Sequence, residues 1–477
     1  MSNAEGSGGR YRFGPLERKG LVAGLGGGQV VCVGAGLLGA VGALRLLPMA
    51  IGLAGAAAAV AVGLAAGFVP VSGRTSEEWA PVIWGWVHRR LSGSRRWLGR
   101  AHQRGAPGPQ PPPALRGSRV LEHGPADAAR MGVVIDGRDG TCSAVVEASG
   151  AGFALLDPED KQRRLAGWAA VLAGLAREGS VVHRLQWIER VHPGDADGLE
   201  LSMAERLDPE APPGAARSYA ELIGRAGPLT PRHQTLVVLS VSPLRVRRRL
   251  RGAGGGRTAV LDRLAAEMAM LETGLRSAEI EVSRTLSAVG LGAALAAGFH
   301  GGTGHWRSPW PVAVESTWSA VRTDGAWHAT YWVAEWPRTE VGPDFLVPLL
   351  LMVPAVRVVS VTMEPVGPKR AAREVESART GAAADEELRR RGGFMATARR
   401  QRQADGMARR EAELADGHAD IRFSGYVTVT ASDPSSLERS CSEVERAAAQ
   451  ARLDLRRLYG QQEEALTYTL PMGRGLR

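Results

Sequence analysis

LVAGLGGGQVVCVGAGLLGAVGALRLLPMAIGLAGAAAAVAVGLAAGFV, residues 21–69, decides how the rest of the chain is read. No residue from Leu21 to Leu44 is charged. Arg45, Leu46, Leu47 and Pro48 interrupt, and Met49 to Val69 is again free of charge. A bilayer core takes roughly 20 apolar residues per helix, so two such runs with a short break predict a tight transmembrane hairpin. Glycine and alanine fill both runs (Gly24, Gly26, Gly27, Gly28, Gly34 and Gly36, then Ala54 and Ala56 to Ala59). Small residues let helix backbones approach closely, so the two helices are expected to pack on each other or on partner helices. The runs are too long and too uniformly apolar for a one-sided core helix. The first is also too long for a cleaved signal sequence, and a second follows at once.

The flanks set an orientation. Arg10, Arg12, Arg18 and Lys19 precede the hairpin; Arg74, Arg89, Arg90, Arg95, Arg96 and Arg100 follow it; the connection carries only Arg45. Positive residues stay on the cytoplasmic side, so both ends are expected in the cytoplasm of an inner-membrane protein.

Outward from this anchor the chain divides by composition. Residues 1–20 form a basic, aromatic lead-in and 21–71 the hairpin. Residues 72–102 hold a juxtamembrane amphipathic helix with Trp79, Val82, Ile83, Trp86 and Arg90 at helical spacing. Tryptophans beside arginines suit the lipid headgroup layer, so membrane lipid is an expected partner. Residues 103–119 form a Pro-rich linker, a semi-rigid spacer.

From 120 to 365 the pattern is α+β. Strands are predicted at 131–136, 141–149, 181–191, 234–241, 278–286 and 356–363, with a further short run at 153–156. Asp157-Pro158-Glu159-Asp160 opens a helix with a capping acid, proline at the first position and acids in the first turn. Helices are also predicted at 218–225, 258–275, 287–298 and 347–353. Residues 312–322 and 326–336 alternate around Asp324-Gly325, a strong hairpin signal, with Trp318, Trp327, Tyr331, Trp332 and Trp336 for cross-strand packing. Residues 366–420 read as charged helix broken near Gly392-Gly393. Residues 421–477 close the domain as β-α-β, with Asp433-Pro434 capping the helix. The fold class is thus an α+β cytoplasmic region preceded by a two-helix transmembrane hairpin.

The formal charge is +10, but the basic residues are arginine except Lys19, Lys161 and Lys369, a bias of base composition; no nucleic-acid role is read from it. Cys32, Cys142 and Cys441 form neither a disulfide framework nor a metal set. A phosphate loop of the Walker type needs a lysine after its glycines. None of the three lysines qualifies, and Gly252 to Thr258 offers Arg257 instead. Zinc spacings and a Gly-x-Ser-x-Gly elbow are absent. His300 and His305 share a Gly-rich loop with Trp306 but lack a carboxylate neighbour in sequence. The basic run Arg245 to Arg251 reads as a solvated loop. No catalytic, cofactor-binding or metal-binding residue is assigned, and no cofactor is expected.

Three stretches carry a resemblance. The basic lead-in and hairpin resemble the PrgI-type inner-membrane subunit of conjugative type IV secretion systems. Asp139-Gly140 through Phe153-Ala154-Leu155-Leu156-Asp157-Pro158-Glu159 to strand 181–191 resembles the start of the non-motor domain of VirB/TraC/TrbE-type ATPases. Glu411-Ala412-Glu413-Leu414 through Leu470-Pro471-Met472 resembles its end. The Walker lysine is missing and the sequence stops where that family's motor begins. The resemblance therefore implies a non-enzymatic scaffold that docks a separate cytoplasmic VirB/TraC-type ATPase, contacts other secretion-system membrane subunits and self-associates. An EccE-like component of a type VII secretion complex is the alternative with the same two spans and cytoplasmic lobe. The arginine-rich helix and closing Leu-Pro favour type IV. Two further alternatives are a membrane-bound enzyme using the His300–Trp310 loop, with His300 and His305, and a DNA tether using Arg245 to Arg251.

Overall fold

In the computed structural model the described residues are 27–69, 74–99, 110–125, 130–149, 152–192, 231–249, 256–302, 308–391 and 419–476, with a few isolated positions between. They form two units, one containing the apolar helices and one containing the sheet.

In the first unit, α1 (Gly27–Leu46) and α2 (Met49–Phe68) pair as an antiparallel hairpin. The turn is forced at Leu47-Pro48: proline has no N–H and disfavours helical backbone in the residue before it. Residues 21–26, predicted as part of the first span, lie outside the described residues, and Arg45 sits in the last turn of α1. Gly36 and Gly63 set the approach of the two backbones. A Cβ on Gly63 would stand 2.9 Å from both the Cys32 carbonyl oxygen and the Gly36 Cα. The outward side chains are apolar and bare; Leu46 is 85 % and Met49 92 % exposed. Each helix rises about 30 Å, the thickness of a bilayer core. In α3 (Ser76–Leu91) the Thr75 N–H donates to the Glu78 carboxylate at 3.3 Å, half of a capping box. Val82 is buried, while Ile83, Trp84, Val87 and Leu91 form an exposed apolar stripe. Arg74 lies over the Trp79 ring, and Arg90 and Arg95 over Trp86.

The second unit is one antiparallel sheet of thirteen strands. Its strands are β1 (Arg96–Leu98), β2 (Arg119–His123), β3 (Met131–Ile135), β4 (Cys142–Ser149), β5 (Val182–His192), β6 (Arg232–Val241), β7 (Glu281–Thr285), β8 (Ala313–Ser316), β9 (Val321–Thr323), β10 (Ala326–Glu335), β11 (Arg357–Val366), β12 (Asp420–Ala431) and β13 (Asp454–Arg457). The order is β1-β8-β9-β10-β12-β11-β5-β6-β4-β3-β2, with β13 on β10 and β7 on β4. The helices are α4 (Pro158–Leu175), α5 (Pro243–Arg249), α6 (Arg257–Ser277), α7 (Ala288–His300), α8 (Val347–Leu351), α9 (Pro368–Arg391), α10 (Pro434–Gln450) and α11 (Gln462–Leu466).

This order contains an internal repeat. Apart from α5 after β6 and α9 after β11, which have no counterpart in the other half, the chain order β2-β3-β4-α4-β5-β6-α6-β7-α7 runs again as β8-β9-β10-α8-β11-β12-α10-β13-α11, and each half lays its strands in the same spatial order outward from the centre. The halves join through β5 and β11, paired antiparallel from Leu185↔Met363 to Val191↔Arg357, so an approximate two-fold axis passes near the Ile188↔Ser360 pair. One detail recurs down to hydrogen bonds. After α6, Glu279 takes φ 58 and the Ile280 N–H donates to Leu275 O; after α10, Arg452 takes φ 58 and the Leu453 N–H donates to Ala448 O. Both are Schellman ends with a non-glycine residue in the left-handed region.

Alternation builds two cores. On β6, Val237 and Leu239 face α4 and α6, while Leu236 and Val238 face α7 and the closing segment. On the first face of the other half, α10 packs Leu437, Cys441 and Val444 on Val427, Val429 and Tyr331.

Four local readings are corrected. Residues Pro243–Arg249 are helical, not a solvated loop, because Val246 is buried against α6. Phe153–Leu155 is a 3-10 turn, started by Gly152 in the left-handed region. The first arm of the aromatic hairpin breaks into β8 and β9 at a turn closed by the Thr317 N–H on Ala320 O. The predicted strand 278–286 shortens to β7 because Ala278 and Glu279 belong to the end of α6. Helix 218–225 and the Gly392-Gly393 break lie outside the described residues, apart from Ser218 and Glu221.

Candidate functional site

The second face of the sheet is polar at its centre. Ser143, Gln186, Ser240, Ser360, Thr362 and Thr428 are all buried there, on β4, β5, β6, β11 and β12. Burying them is unfavourable unless each finds a partner, and the closing segment supplies many of them. Ser143 Oγ lies 2.7 Å from Ser240 Oγ and donates to Met472 O. Gln186 donates to Ser360 Oγ and Tyr468 O and accepts from the Gly473 N–H. Thr362 donates to Arg474 O, Arg184 to Gly473 O and Leu476 O, and the Tyr426 hydroxyl to Gly475 O.

Two glycines make this path possible. Gly473 (φ 71) would place a Cβ 2.0 Å from Ser240 Oγ, and Gly475 (φ 124) would place one 2.7 Å from the Tyr426 ring. Between them Arg474 is 5 % exposed and forms a fork on Asp136, with Nη2 donating to Oδ1 at 2.7 Å and Nε donating to Oδ2. Burial alone would raise the Asp136 carboxyl, but the Arg474 guanidinium and two backbone N–H groups hold it below the usual range. The closing segment is thus tied by hydrogen bonds to strands of both halves, β4 and β5 on one side and β11 and β12 on the other.

His300 Nε2 stands 3.6 Å from Asp324 Oδ2, and its ring stacks on Trp306 at 3.6 Å between centroids. Burial depresses its pKa against the pull of Asp324. The fold thus brings to His300 a carboxylate that is distant in sequence, while His305 lies outside the described residues. Behind it, His328 is fully buried: Nε2 lies 2.9 Å from Phe299 O, and Nδ1 lies 2.9 Å from Thr430 Oγ1. Burial pushes its pKa down to about 4, so the ring is neutral, with Nε2 donating to the carbonyl and Nδ1 accepting from the hydroxyl. Sequence patterning gives no sign of His328, an isolated residue in a strand. Among the described residues no group of three or more His, Cys, Asp or Glu side chains is placed to hold a metal. Cys142 and Cys441 are buried in different cores, where burial raises both thiols. The basic run is drawn into the fold: Arg245 donates to Val182 O at 2.8 Å and Arg249 to Glu178 O.

These features describe an α+β protein with two long apolar helices and, among the described residues, no assembled catalytic group. Residues 230–333 match the family model of the putative type VII ESX secretion system translocon, EccE. The match runs from β6 to near the end of β10, through α6, β7 and α7. No curated protein matches the chain.

This finding overturns the type IV reading, with its PrgI-type, VirB/TraC/TrbE and conjugation assignments and its dedicated ATPase partner, in favour of the EccE-like alternative. The physical reason is that the motifs carrying the resemblance are local helix signals. An Asp-Pro start caps a helix wherever it occurs. Here it opens α4 between β4 and β5, and again α10 between β12 and β13, at positions of the repeat that do not correspond. The closing Leu470-Pro471-Met472, read as the same domain's end, is the strap that fills the second core.

Proposed function

We propose that the chain is a non-enzymatic membrane component of a type VII (ESX) secretion translocon, EccE-like in its sheet unit. The observation that carries the proposal is the EccE match over residues 230–333 in a chain that also has two apolar helices of bilayer length. On this reading α1 and α2 cross the inner membrane as a hairpin. Small-residue packing at Gly36 and Gly63 favours it, because a lipid environment supplies no hydrophobic drive for helix pairing. The arginines flanking both ends keep them in the cytoplasm, and the sheet unit faces the cytoplasm with them. Partners are other membrane subunits of the same secretion machine. The self-contained hydrogen bonding of the polar seam favours a scaffold over an enzyme.

The test is affinity capture of the full chain from detergent-solubilised membranes, followed by mass spectrometry. Recovery of type VII membrane subunits is expected. Recovery of the chain from the soluble fraction, or with a type IV motor and no type VII subunit, would sink the proposal.

A further inference from the structure

A cleft of about 290 Å³ opens where α4 ends, β5 begins and α9 starts. Its wall carries five cations, Arg177, Arg245, Lys369, Arg370 and Arg373, and one carboxylate, Glu178. Some of the positive charge is spent within the fold. Arg177 and Arg263 both bind Glu267, which is fully buried, and Arg370 and Arg422 both bind Glu374. Arg245 lies 3.5 Å from Glu364, and Lys369 3.9 Å from Glu178. Arg373 has no ion pair or hydrogen bond among the described residues, and Lys369 is 73 % exposed at its side chain. The five lining cations and their neighbours Arg263 and Arg422 thus stand against four carboxylates, Glu178, Glu267, Glu364 and Glu374.

The geometry is held in advance. Arg177 is fixed by Gly174 O and both oxygens of Glu267, and Arg245 by Val182 O. An arginine has five N–H donors, so each guanidinium keeps donors to offer. Gly179 (φ 73) lines the floor, where a Cβ would collide with Arg249 at 1.1 Å; the basic helix α5 is thereby seated against the cleft. The N-terminal end of α9 points its positive dipole at the same space.

We propose that this cleft binds a compact phosphate-bearing anion. Planar guanidiniums match phosphate in pairs, and a compact cleft suits a small polyanion better than an extended acidic peptide, which needs a groove. The basic run at 245–251, without a role on a sequence reading, contributes Arg245 to this site. The proposal does not rest on the secretion reading.

Pyrophosphate is titrated into the full chain in uncharged detergent and followed by calorimetry; short-chain phosphatidic acid forms a second arm. The test variant is Lys369→Glu with Arg373→Glu, two side chains that make no fold-defining contact. Arg248→Glu, an exposed position on α5 outside the lining, is the charge control. Binding of pyrophosphate that the double variant weakens by roughly tenfold or more, with the control unchanged, supports the site and a soluble ligand. The same pattern with phosphatidic acid alone supports it with a lipid headgroup as the source. Binding to neither ligand, equal loss in the control, or capture of poly-glutamate in place of both phosphates overturns it.

Discussion

Replacing Asp136 with Asn should unfold more than one turn. Asp136 and Arg474 are separated by 338 positions and are 2 % and 6 % exposed at their side chains. Asp136 also accepts from the Arg138 and Asp139 N–H groups, and Arg474 donates to Ala114 O and Thr467 Oγ1. Asp136→Asn keeps the volume but removes the charge, turns an NH₂ toward a guanidinium and leaves Arg474 buried without its counter-ion. Breaking a buried pair from one side costs about 3–5 kcal/mol, and Arg474→Gln should cost a similar amount by stranding the carboxylate. The double variant leaves no buried charge, so its loss should fall short of the sum by about 1–3 kcal/mol. The assay is urea unfolding of the detergent-solubilised chain, read by near-ultraviolet circular dichroism at pH 7. The sign with pH is fixed as well. The folded carboxyl is depressed, so its contribution is complete above the unfolded value near 3.9 and is lost as pH falls below it. Asp136→Asn should therefore flatten the acid limb of the stability curve. Single variants that cost under about 1 kcal/mol, or that add without coupling, would refute the view that this pair ties the closing segment to the sheet.

Other outcomes follow from the same contacts. Gly473→Ala should cost about 2–4 kcal/mol in urea unfolding, because left-handed backbone and a collision with Ser240 coincide, whereas Gly140→Ala, at φ 65 in open space, should cost only about 1 kcal/mol. Gly63→Val should separate α1 from α2 and cost about 1–3 kcal/mol in mixed-detergent unfolding, while Gly42→Ala, with nothing within 4 Å, should be nearly neutral. His328 is neutral when folded, with a pKa of about 4 against an ordinary 6.5, so the unfolded chain gains a proton first. Stability should fall by up to about 3 kcal/mol as pH drops from 6.5 toward 4, and His328→Gln should remove that share of the slope.

Much of the fold is legible from local chemistry. Both apolar helices follow from uninterrupted hydrophobicity, α4 and α10 from their Asp-Pro starts, and β9–β10 from Asp324-Gly325, with Asp324 at φ 46 as such a turn requires. The strand core of β6 is legible in Leu-Val-Val-Leu. What escapes is whatever depends on partners far away in sequence. Residues 245–249 are polar enough to suggest a loop, yet one buried valine and the Val182 carbonyl make them a helix. The polar seam is invisible because serines and threonines in a strand signal nothing until the closing segment lies across them. The cleft joins residues around 177, 245 and 370, which no local window contains. The internal repeat is hidden for the same reason. The halves share topology and helix ends, while their side chains differ, as Leu264 and Leu271 on α6 and Cys441 and Val444 on α10 illustrate.

Among the described residues of 230–333, the strand pairs formed within the span are β8 with β9 and β9 with β10. β6 pairs with β4 and β5, and β7 with β4, all outside the match; β10 takes its long partner from β12. The matched segment therefore consists of two pieces in opposite halves of the sheet, joined by α7 and unable to satisfy their own backbone groups. Buried backbone donors and acceptors must be paired, so a protein that shares this segment and folds it alike must supply equivalents of β4, β5 and β12 from sequence that no longer matches. The two-half sheet should then be present in EccE proteins even where sequence similarity has faded. A structure of one in which the equivalent of β6 ends a sheet, with no second half beyond it, would refute this argument.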